Sequence, residues 1–304
     1  FFNLFTLITL YFKIRKVQPD KILVFTIKIN ILVSLICYFS EYKLINNITG
    51  LGSSMINSKF MKLIVVTLLK FSLKKSSMIF FQNNDDKNFF IENNIVNENK
   101  TKVIRYFGVN INKYKYSPLP DRDKGLTFIY FGRLIKDKGI FELVDAIKIV
   151  KKTYPETIFK IVGDIDYNNP GYIKKELINE WKNKKLFELN KFQIDISKFI
   201  QTSDCVILPS YREGLPKSIL ESLSIGRPAI VTNVPGCRDL IIDNFNGLIC
   251  EPKSAKNLSI KILQYINLNK KVRNKMSINA RNSVIKDFNS DNIILEYINI
   301  IRSI

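Results

Sequence analysis

Two glutamates on either side of a predicted helix start are the residues of this sequence with the clearest chemistry. Glu213 lies in a turn after an apolar run, and Glu221 lies eight residues later, about two turns into a helix with Pro216 near its first turn. The N–H groups at a helix start and the helix dipole together attract an anion. The arrangement therefore suits a ligand with hydroxyls at its two ends and a diphosphate in the middle, as in a nucleotide sugar.

Two cations in an earlier turn could neutralise the same diphosphate. Gly132 ends a predicted strand, and Arg133 and Lys138 project from the turn that leads to Gly139 and the next helix. Arginine offers a planar fork for two phosphate oxygens, and lysine offers a point charge. We therefore take this turn as the second part of the candidate ligand site.

Both turns need a sheet that brings the ends of two strands together. Short apolar runs alternate with longer helical patterns along the chain, which predicts an α/β protein with parallel sheets and helices on both faces. The strands before the two turns are predicted at residues 127–132 and 205–209, and the helix after the second turn at 216–225. In open α/β sheets, ligands bind at the carboxyl ends of the strands, where both turns lie.

The length of 304 residues indicates two domains. Residues 117–125 are polar and rich in helix-breaking and strand-breaking residues, as a linker would be. We expect a first domain over residues 1–122, a second domain with the ligand site over 123–288, and a C-terminal helix over 289–304 that packs back toward the first domain.

The charge balance and the lack of histidine exclude several classes of chemistry. The chain has 47 Lys and Arg against 27 Asp and Glu, a formal charge of +20, and no histidine. A Ser-His-Asp triad, a Cys-His pair, a His-ligated zinc and a histidine general base are therefore excluded. The charge alone suits a nucleic-acid-binding protein, which is the non-enzyme alternative. The basic residues are spread along the chain without a recognition motif, so we expect no nucleic-acid partner.

Neither the N-terminal part nor the cysteines indicate a membrane span or a redox site. Residues 1–12 are apolar but too short to span a bilayer, and positive charge follows them rather than preceding them as in a signal peptide. Residues 22–39 are longer, but Lys28 and Asn30 lie near the middle, so we predict a strand and then a helix, with a membrane span as the alternative. The four cysteines form no C-x-x-C pattern and are expected to be buried thiols.

The two turns together resemble a known family. The pattern G-R-x5-G around Lys138 and the pattern E-x7-E from Glu213 to Glu221 resemble the retaining GT-B glycosyltransferases of family 4. Within this family, further segments resemble those of the bacterial branch that makes capsule, O-antigen and lipid-linked glycans. These segments are residues 25–28, 48–52, 164–170, 209–216 and 235–239. The resemblance covers residues 19–285 and implies two Rossmann-like parallel-sheet domains that face a cleft. The family's first strand and Gly-rich loop are missing, so we expect the first, acceptor-side domain to be truncated at its N-terminus.

The resemblance implies a role for each residue of the two turns. Arg133 and Lys138 would hold the donor diphosphate. Glu221 would bind the ribose hydroxyls and Glu213 those of the transferred sugar. The catalytic residues would thus be Glu213, Arg133 and Lys138, and the amides from Gly214 to Ser218 would complete the phosphate cradle. The other donor-binding residues of that cradle are Leu215 and Pro216, and those expected near the cleft are Gly50, Gly52 and Arg238.

The resemblance also implies the substrates and the cellular setting. Members of this branch move a hexose or N-acetylhexosamine from a UDP-sugar to a polyprenyl-diphosphate-linked sugar, in the synthesis of surface polysaccharides or lipid-linked glycans. We therefore expect a cytoplasmic enzyme that is peripheral on the inner face of the bacterial plasma membrane. The excess of basic residues before Gly125 suits the anionic lipid of that surface.

No cofactor or metal is expected. The D-x-D patterns at residues 121–123 and 164–166 are of a kind that holds a divalent metal on the diphosphate in other glycosyltransferases. Here Arg133, Lys138 and the helix start already supply positive charge. Two alternatives to this function stay open, a nucleotide-sugar epimerase-like GT-B enzyme and a catalytically incomplete fragment. The lack of histidine disfavours the epimerase, whose chemistry needs acid and base residues.

Overall fold

The computed structural model describes most of the chain, namely residues 4–50, 59–105, 108–122 and 125–304. The chain divides into two compact units. The first unit is Phe1–Tyr106 together with Ile293–Ile304, and the second is Phe107–Asn292. Each unit contains a sheet of parallel strands joined through helices, so the predicted α/β class with two parallel-sheet domains is confirmed.

The first unit is built on a four-stranded parallel sheet. Its strands are β1 (Lys21–Phe25), β2 (Lys43–Ile48), β3 (Met78–Phe81) and β4 (Thr101–Val103). The helices that precede β4 in the chain are α1 (Leu4–Val17), α2 (Ile27–Ile36), α3 (Lys59–Ser72) and α4 (Asn84–Glu92). The strand order in space is β1-β2-β3-β4, so each crossover between neighbouring strands contains one of the helices α2 to α4.

The second unit is built on a six-stranded parallel sheet. Its strands are β5 (Thr127–Phe131), β6 (Ile158–Val162), β7 (Glu188–Asn190), β8 (Cys205–Leu208), β9 (Ala229–Thr232) and β10 (Gly247–Cys250). Its helices are α5 (Ile140–Thr153), α6 (Lys175–Asn183), α7 (Ser197–Gln201), α8 (Lys217–Ile225), α9 (Ala255–Asn267) and α10 (Lys270–Asp287). The strand order is β10-β9-β8-β5-β6-β7.

The order of the second sheet creates a topological switch point. The chain first adds β6 and β7 on one side of β5, and then returns to the other side of β5 with β8. The connections that leave β5 and β8 therefore run in opposite directions, which opens a crevice at the carboxyl ends of these two strands. Residues such as Ile129 and Ile207 are at most 1% exposed, since parallel strands are covered on both faces.

A final helix, α11 (Ser290–Ser303), carries the chain back into the first unit. Its Tyr297 donates a hydrogen bond from the phenol to Asn47 Oδ1 at 2.9 Å. Its Ile293 packs in a buried cluster with Ile45 and Phe80 of the first sheet. The C-terminal helix expected at residues 289–304 thus contributes to the core of the first unit.

The division between the units differs from the predicted boundary at residue 122. Residues 108–122 belong to the second unit, because they are bonded to the end of α8 rather than acting as a linker. The Ser117 N–H donates to the Ile225 carbonyl at 3.0 Å, and the Ser224 hydroxyl donates to the Tyr114 carbonyl at 2.7 Å.

Sequence patterns do not mark every element of the second unit. Helix α6 begins at Lys175, because residues 166–172 ahead of it form a turn closed by backbone hydrogen bonds. Strand β7 was not predicted, since its three residues include the exposed Glu188 and show no apolar run. Residues 22–39 form β1 and α2 as expected, and within the part of the chain that the structure describes no helix is long and apolar enough to cross a membrane.

The four cysteines are buried and unpaired, as the sequence predicted. Burial raises the pKa of the thiols of Cys205 and Cys237 well above the ordinary value, which keeps both protonated and unreactive. Both cysteines pack as small apolar residues in the core of the second unit.

Candidate active site

The two turns that carry the sequence motifs lie against each other at the switch point. Gly139 has a φ of 71°, and a Cβ at this position would overlap the carbonyl oxygen of Pro209, so glycine is required. The Tyr211 N–H donates to the Asp137 carbonyl at 2.9 Å, which ties the turn after β8 to the turn after β5. The structure thus brings together the two groups of residues that the sequence singled out.

Lys138 and Glu213 form an ion pair between these two turns. Their side chains are only 20% and 13% exposed, so the pair is largely shielded from water. Burial, and then the negative charge of Glu213, raise the pKa of the Tyr130 phenol and of the Cys237 thiol, which places the carboxylate near both groups. A shielded cation and carboxylate at the strand ends are able to bind a ligand that carries both negative charge and hydroxyls.

A third loop, after β9, supports the Glu213 turn. A Cβ at Gly236 would overlap the carbonyl oxygen of Gly214, so these two loops are in close backbone contact. The Glu213 N–H also donates to the Pro235 carbonyl at 3.3 Å. Arg238, which was expected near the cleft, lies in this loop at the start of a short 3₁₀ turn and is partly buried.

Arg133 is paired with a carboxylate that the sequence analysis did not connect with it. The Arg133 Nη1 lies 2.8 Å from Oδ2 of Asp166, in the loop after β6. The Tyr130 phenol donates to the Arg133 carbonyl at 2.8 Å, which holds the backbone of the turn. Because the Arg133 side chain is 59% exposed, this ion pair is weak and the guanidinium remains available to a stronger anion.

The predicted phosphate cradle lies in the connection between β8 and α8. Helix α8 begins at Lys217, and Pro216 precedes it with a φ of −71°. Leu215 and Pro216 are buried, whereas Gly214 and Ser218 are partly exposed. The N–H groups of a first helical turn have no acceptors inside the helix, so this start is suited to an anion.

Glu221 is the fifth residue of α8, which places it a little over one turn from the helix start and not two turns as predicted. Its carboxylate is partly buried, and this burial raises its pKa above the ordinary value. Its Oε1 accepts a hydrogen bond of 2.9 Å from the Tyr114 hydroxyl. Tyr114 could not be connected with Glu221 from the sequence, because 107 residues separate them and no local pattern marks the tyrosine.

The two glycines expected near the cleft belong to the first unit. Gly50 follows β2 and has a φ of 113°, a conformation that favours glycine. Gly52 lies outside the residues that the structure describes.

One carboxylate of each D-x-D pattern forms an ion pair with a basic side chain. Asp121 forms an ion pair with Lys270, and Asp166 pairs with Arg133, while Asp123 lies outside the described residues. In the described ranges, no three carboxylates, cysteines or histidines gather closely enough to hold a metal ion.

The chain matches the family Glycosyl transferases group 1 over residues 116–283. It is 28% identical over 296 residues to a UDP-Gal:α-D-GlcNAc-diphosphoundecaprenol α-1,3-galactosyltransferase of Escherichia coli, a match that covers 93% of this chain and 75% of that protein. It is also 28% identical to an N,N′-diacetylbacillosaminyl-diphospho-undecaprenol α-1,3-N-acetylgalactosaminyltransferase of Campylobacter jejuni. That match covers 79% of this chain and 65% of that protein, less than two thirds of its length.

Solved structures share the fold over almost the whole chain. The crystal structure of Anabaena HepE in complex with UDP-glucose superposes with a TM-score of 0.84 and 21% identity, covering 98% of this chain and 82% of that one. Sucrose-phosphate synthase from Thermosynechococcus elongatus gives a TM-score of 0.84 at 19% identity, with 98% and 77% coverage. The match to the family covers more than half of the chain and both motif turns, so this chain belongs to the group 1 glycosyltransferases and has their GT-B fold.

Proposed function

We propose that this glycosyltransferase belongs to family 4, uses a UDP-sugar as donor and retains the anomeric configuration. The acceptor would be a polyprenyl-diphosphate-linked sugar, and the transferred group a hexose or N-acetylhexosamine. The observation that carries the proposal is the shielded Lys138–Glu213 pair at the switch point, beside the start of α8. The printed names of the E. coli and Campylobacter jejuni relatives, both of which describe diphosphoundecaprenol-linked acceptors, support the acceptor class.

In this proposal, the donor diphosphate lies at the start of α8 and draws the two cations to itself. Lys138 would exchange part of its contact with Glu213 for a phosphate oxygen, and Arg133 would exchange Asp166 for another. Glu213, freed from Lys138, would accept hydrogen bonds from the hydroxyls of the transferred sugar. Phosphate offers more charge to each cation than one carboxylate does, so the exchange is favourable.

The proposed reaction breaks the bond between C1 of the sugar and the diphosphate oxygen. Negative charge then grows on the diphosphate, and Arg133, Lys138 and the dipole of α8 stabilise it. The acceptor hydroxyl forms its bond to C1 on the face that the diphosphate leaves, and its proton passes to the departing phosphate oxygen. Because these cations already neutralise the leaving group, we propose that transfer proceeds without a metal ion.

Ligand binding and kinetics test the donor site. Among UDP-, GDP- and ADP-sugars in a thermal-shift screen, we expect the UDP-sugars to stabilise the protein most. We expect Glu221→Ala to weaken UDP binding, and Arg133→Ala to lower kcat more than it raises KM, since Arg133 acts on charge that grows in the transition state. Unchanged kinetics for both variants would contradict the assignment of the site.

We also propose that the protein acts as a peripheral enzyme on an anionic membrane, with α3 as the contact. Large apolar side chains of α3 face water, since Phe60 is 70% exposed, Leu63 65% and Phe71 54%. Residues 59–75 contain five lysines and no acidic residue. A cavity of about 490 Å³ beside this helix is lined by Lys70, Lys74 and Lys100 together with apolar and uncharged polar side chains. An amphipathic helix with basic flanks is typical of proteins that lie on anionic bilayers.

Vesicle binding tests this membrane contact. We expect co-sedimentation with vesicles that contain phosphatidylglycerol and much weaker binding to pure phosphatidylcholine vesicles. Replacement of Leu63 and Phe71 by serine should abolish binding. The same replacement of Ile278 and Ile285, which are 50% and 42% exposed on α10, serves as the matched control. The proposal would be overturned by an equal loss of vesicle binding in both double variants. Unchanged vesicle binding in the Leu63 and Phe71 double variant would overturn it as well.

A further inference from the structure

The hydrogen bond between Tyr114 and Glu221 joins two parts of the second unit that are distant in sequence. Tyr114 lies in the segment 108–122, ahead of β5, and Glu221 lies in α8. The phenol donates to Oε1 at 2.9 Å, a normal length for a hydrogen bond to a carboxylate. Tyr114 is only 8% exposed, so this bond is shielded from competing water.

The backbone of Tyr114 is fixed independently of its phenol. Its carbonyl accepts hydrogen bonds from the Ser224 hydroxyl at 2.7 Å and from Arg281 Nη1 at 2.8 Å. Its N–H donates to the Asn110 carbonyl at 3.0 Å. The ring belongs to the buried core of the second unit. The hydroxyl is therefore held at a defined place beside α8, whether or not a ligand is bound.

A glutamate on the surface of a helix has several rotamers, and a ligand that uses it must fix one of them. The bond from Tyr114 fixes the Glu221 carboxylate before the ligand arrives. A carboxylate accepts about four hydrogen bonds, so Oε2 and the second lone pair of Oε1 are still able to accept from a neighbouring pair of ribose hydroxyls. The phenol also supports the ionised form of the carboxylate, which burial alone would disfavour.

We infer that Tyr114 is a positioning residue for the donor nucleotide, and that it orients Glu221 to accept hydrogen bonds from the ribose hydroxyls. This inference rests on the proposed function, in which Glu221 binds the ribose. It adds a residue outside both motif turns to the donor site. It predicts that the phenol hydroxyl contributes to donor affinity through Glu221 and the ribose, and through nothing else.

The test is a double-mutant cycle with Tyr114→Phe and Glu221→Ala, measured by calorimetric titration with UDP. The phenylalanine keeps the core packing and removes only the hydroxyl. We expect Tyr114→Phe to weaken UDP binding about tenfold, the lower end of what one hydrogen bond to a charged group contributes. In the Glu221→Ala background, and with 2′,3′-dideoxy-UDP in place of UDP, we expect the same change to have no effect. In steady state, the donor KM should rise while kcat is almost unchanged, because ground-state and transition-state binding are weakened equally.

Tyr265→Phe is the matched control, since its phenol is fully buried and donates to the Asp204 carbonyl at 2.8 Å. We expect this variant to bind UDP as the unmodified protein does. Tyr114→Phe could instead lower nucleotide affinity by the same factor in the Glu221→Ala background, or with the dideoxy nucleotide, as it does in the unmodified protein with UDP. Either result would make Tyr114 a purely structural residue and overturn the inference. So would full UDP affinity in Tyr114→Phe. Failure of the proposed function is distinguishable, because then UDP would not bind the unmodified protein, or Glu221→Ala would bind it normally.

Discussion

Replacement of Arg227 by methionine should strongly destabilise the second unit. Arg227 is 0% exposed, and its guanidinium donates to five backbone carbonyls at 2.6 to 3.3 Å: those of Ser117, Pro118, Ile200, Gln201 and Ile225. Burial lowers its pKa to about 10, which still leaves it charged at neutral pH. These bonds tie the segment before β5 to the ends of α7 and α8.

The magnitude follows from what each carbonyl keeps in the variant. The Ile200 and Ile225 carbonyls also accept N–H groups, from Ser203 and Ser117, so they stay bonded. Of the other three, the Pro118 carbonyl keeps only a long hydrogen bond of 3.5 Å from the Ser117 hydroxyl. The Ser117 and Gln201 carbonyls lose the guanidinium, and methionine offers no donor in its place. At about 1 kcal/mol for each carbonyl, the loss is about 3 kcal/mol of unfolding free energy.

Urea unfolding measures this loss in the second unit alone, because Trp181 is the only tryptophan of the chain and lies buried in α6. Its fluorescence should report a lower midpoint with an unchanged slope. Arg273→Met is the control, since Arg273 is also buried but its hydrogen bond to the Ile266 carbonyl is long at 3.4 Å. A loss below about 1 kcal/mol in Arg227→Met, or an equal loss in both variants, would refute this reasoning.

Three further outcomes are expected. Glu221→Gln should raise the stability of the unliganded protein at neutral pH and weaken UDP binding. Because the folded-state pKa of Glu221 is raised, the ionised carboxylate destabilises the fold above that pKa. The stability advantage of the variant in thermal melts should therefore vanish as the pH falls through the pKa of Glu221. Gly139→Ala should lower the unfolding free energy in urea by about 2 kcal/mol or more and displace the Lys138 turn. Gly125→Ala is the control, since Gly125 has a φ of 65° but the nearest atom lies 3.4 Å from the added Cβ. It should cost only about 1 kcal/mol. Gln82→Met should stabilise the first unit by about 1 kcal/mol in a thermal melt, because the buried side-chain nitrogen of Gln82 has no hydrogen-bond partner among the residues that the structure describes. A loss of stability would contradict this.

The local parts of the candidate site were predictable from sequence. Each motif turn is a short strand, a turn and a helix start, and these signals lie within a dozen residues of one another. The sequence therefore located Lys138 and Glu213, and parallel-sheet geometry was enough to predict that their turns meet at the strand ends. Their approach to ion-pair distance depends on Gly139, whose αL backbone lets the two turns touch.

The missing parts of the site depend on contacts between distant residues. The sequence marks Asp166 only as part of a D-x-D pattern. Its ion pair with Arg133 depends on the pairing of β5 with β6, which brings the loops after these two strands together. Tyr114 lies just ahead of residues 117–125, which the sequence predicted to be a linker. Its place beside Glu221 depends on hydrogen bonds from Ser224 and Arg281, which no local pattern encodes.

The return of α11 to the first unit has a consequence for the order in which the protein is made. The apolar face around Ile45 and Phe80 is completed by Ile293, and Lys21 Nζ donates to the Ile301 carbonyl at 2.6 Å. During synthesis, every residue of the second unit leaves the ribosome before Ile293–Ile304, the segment that holds the part of α11 belonging to the first unit. The second unit can therefore finish folding while the first still exposes one face of its sheet, which makes the first unit the later one to complete its core.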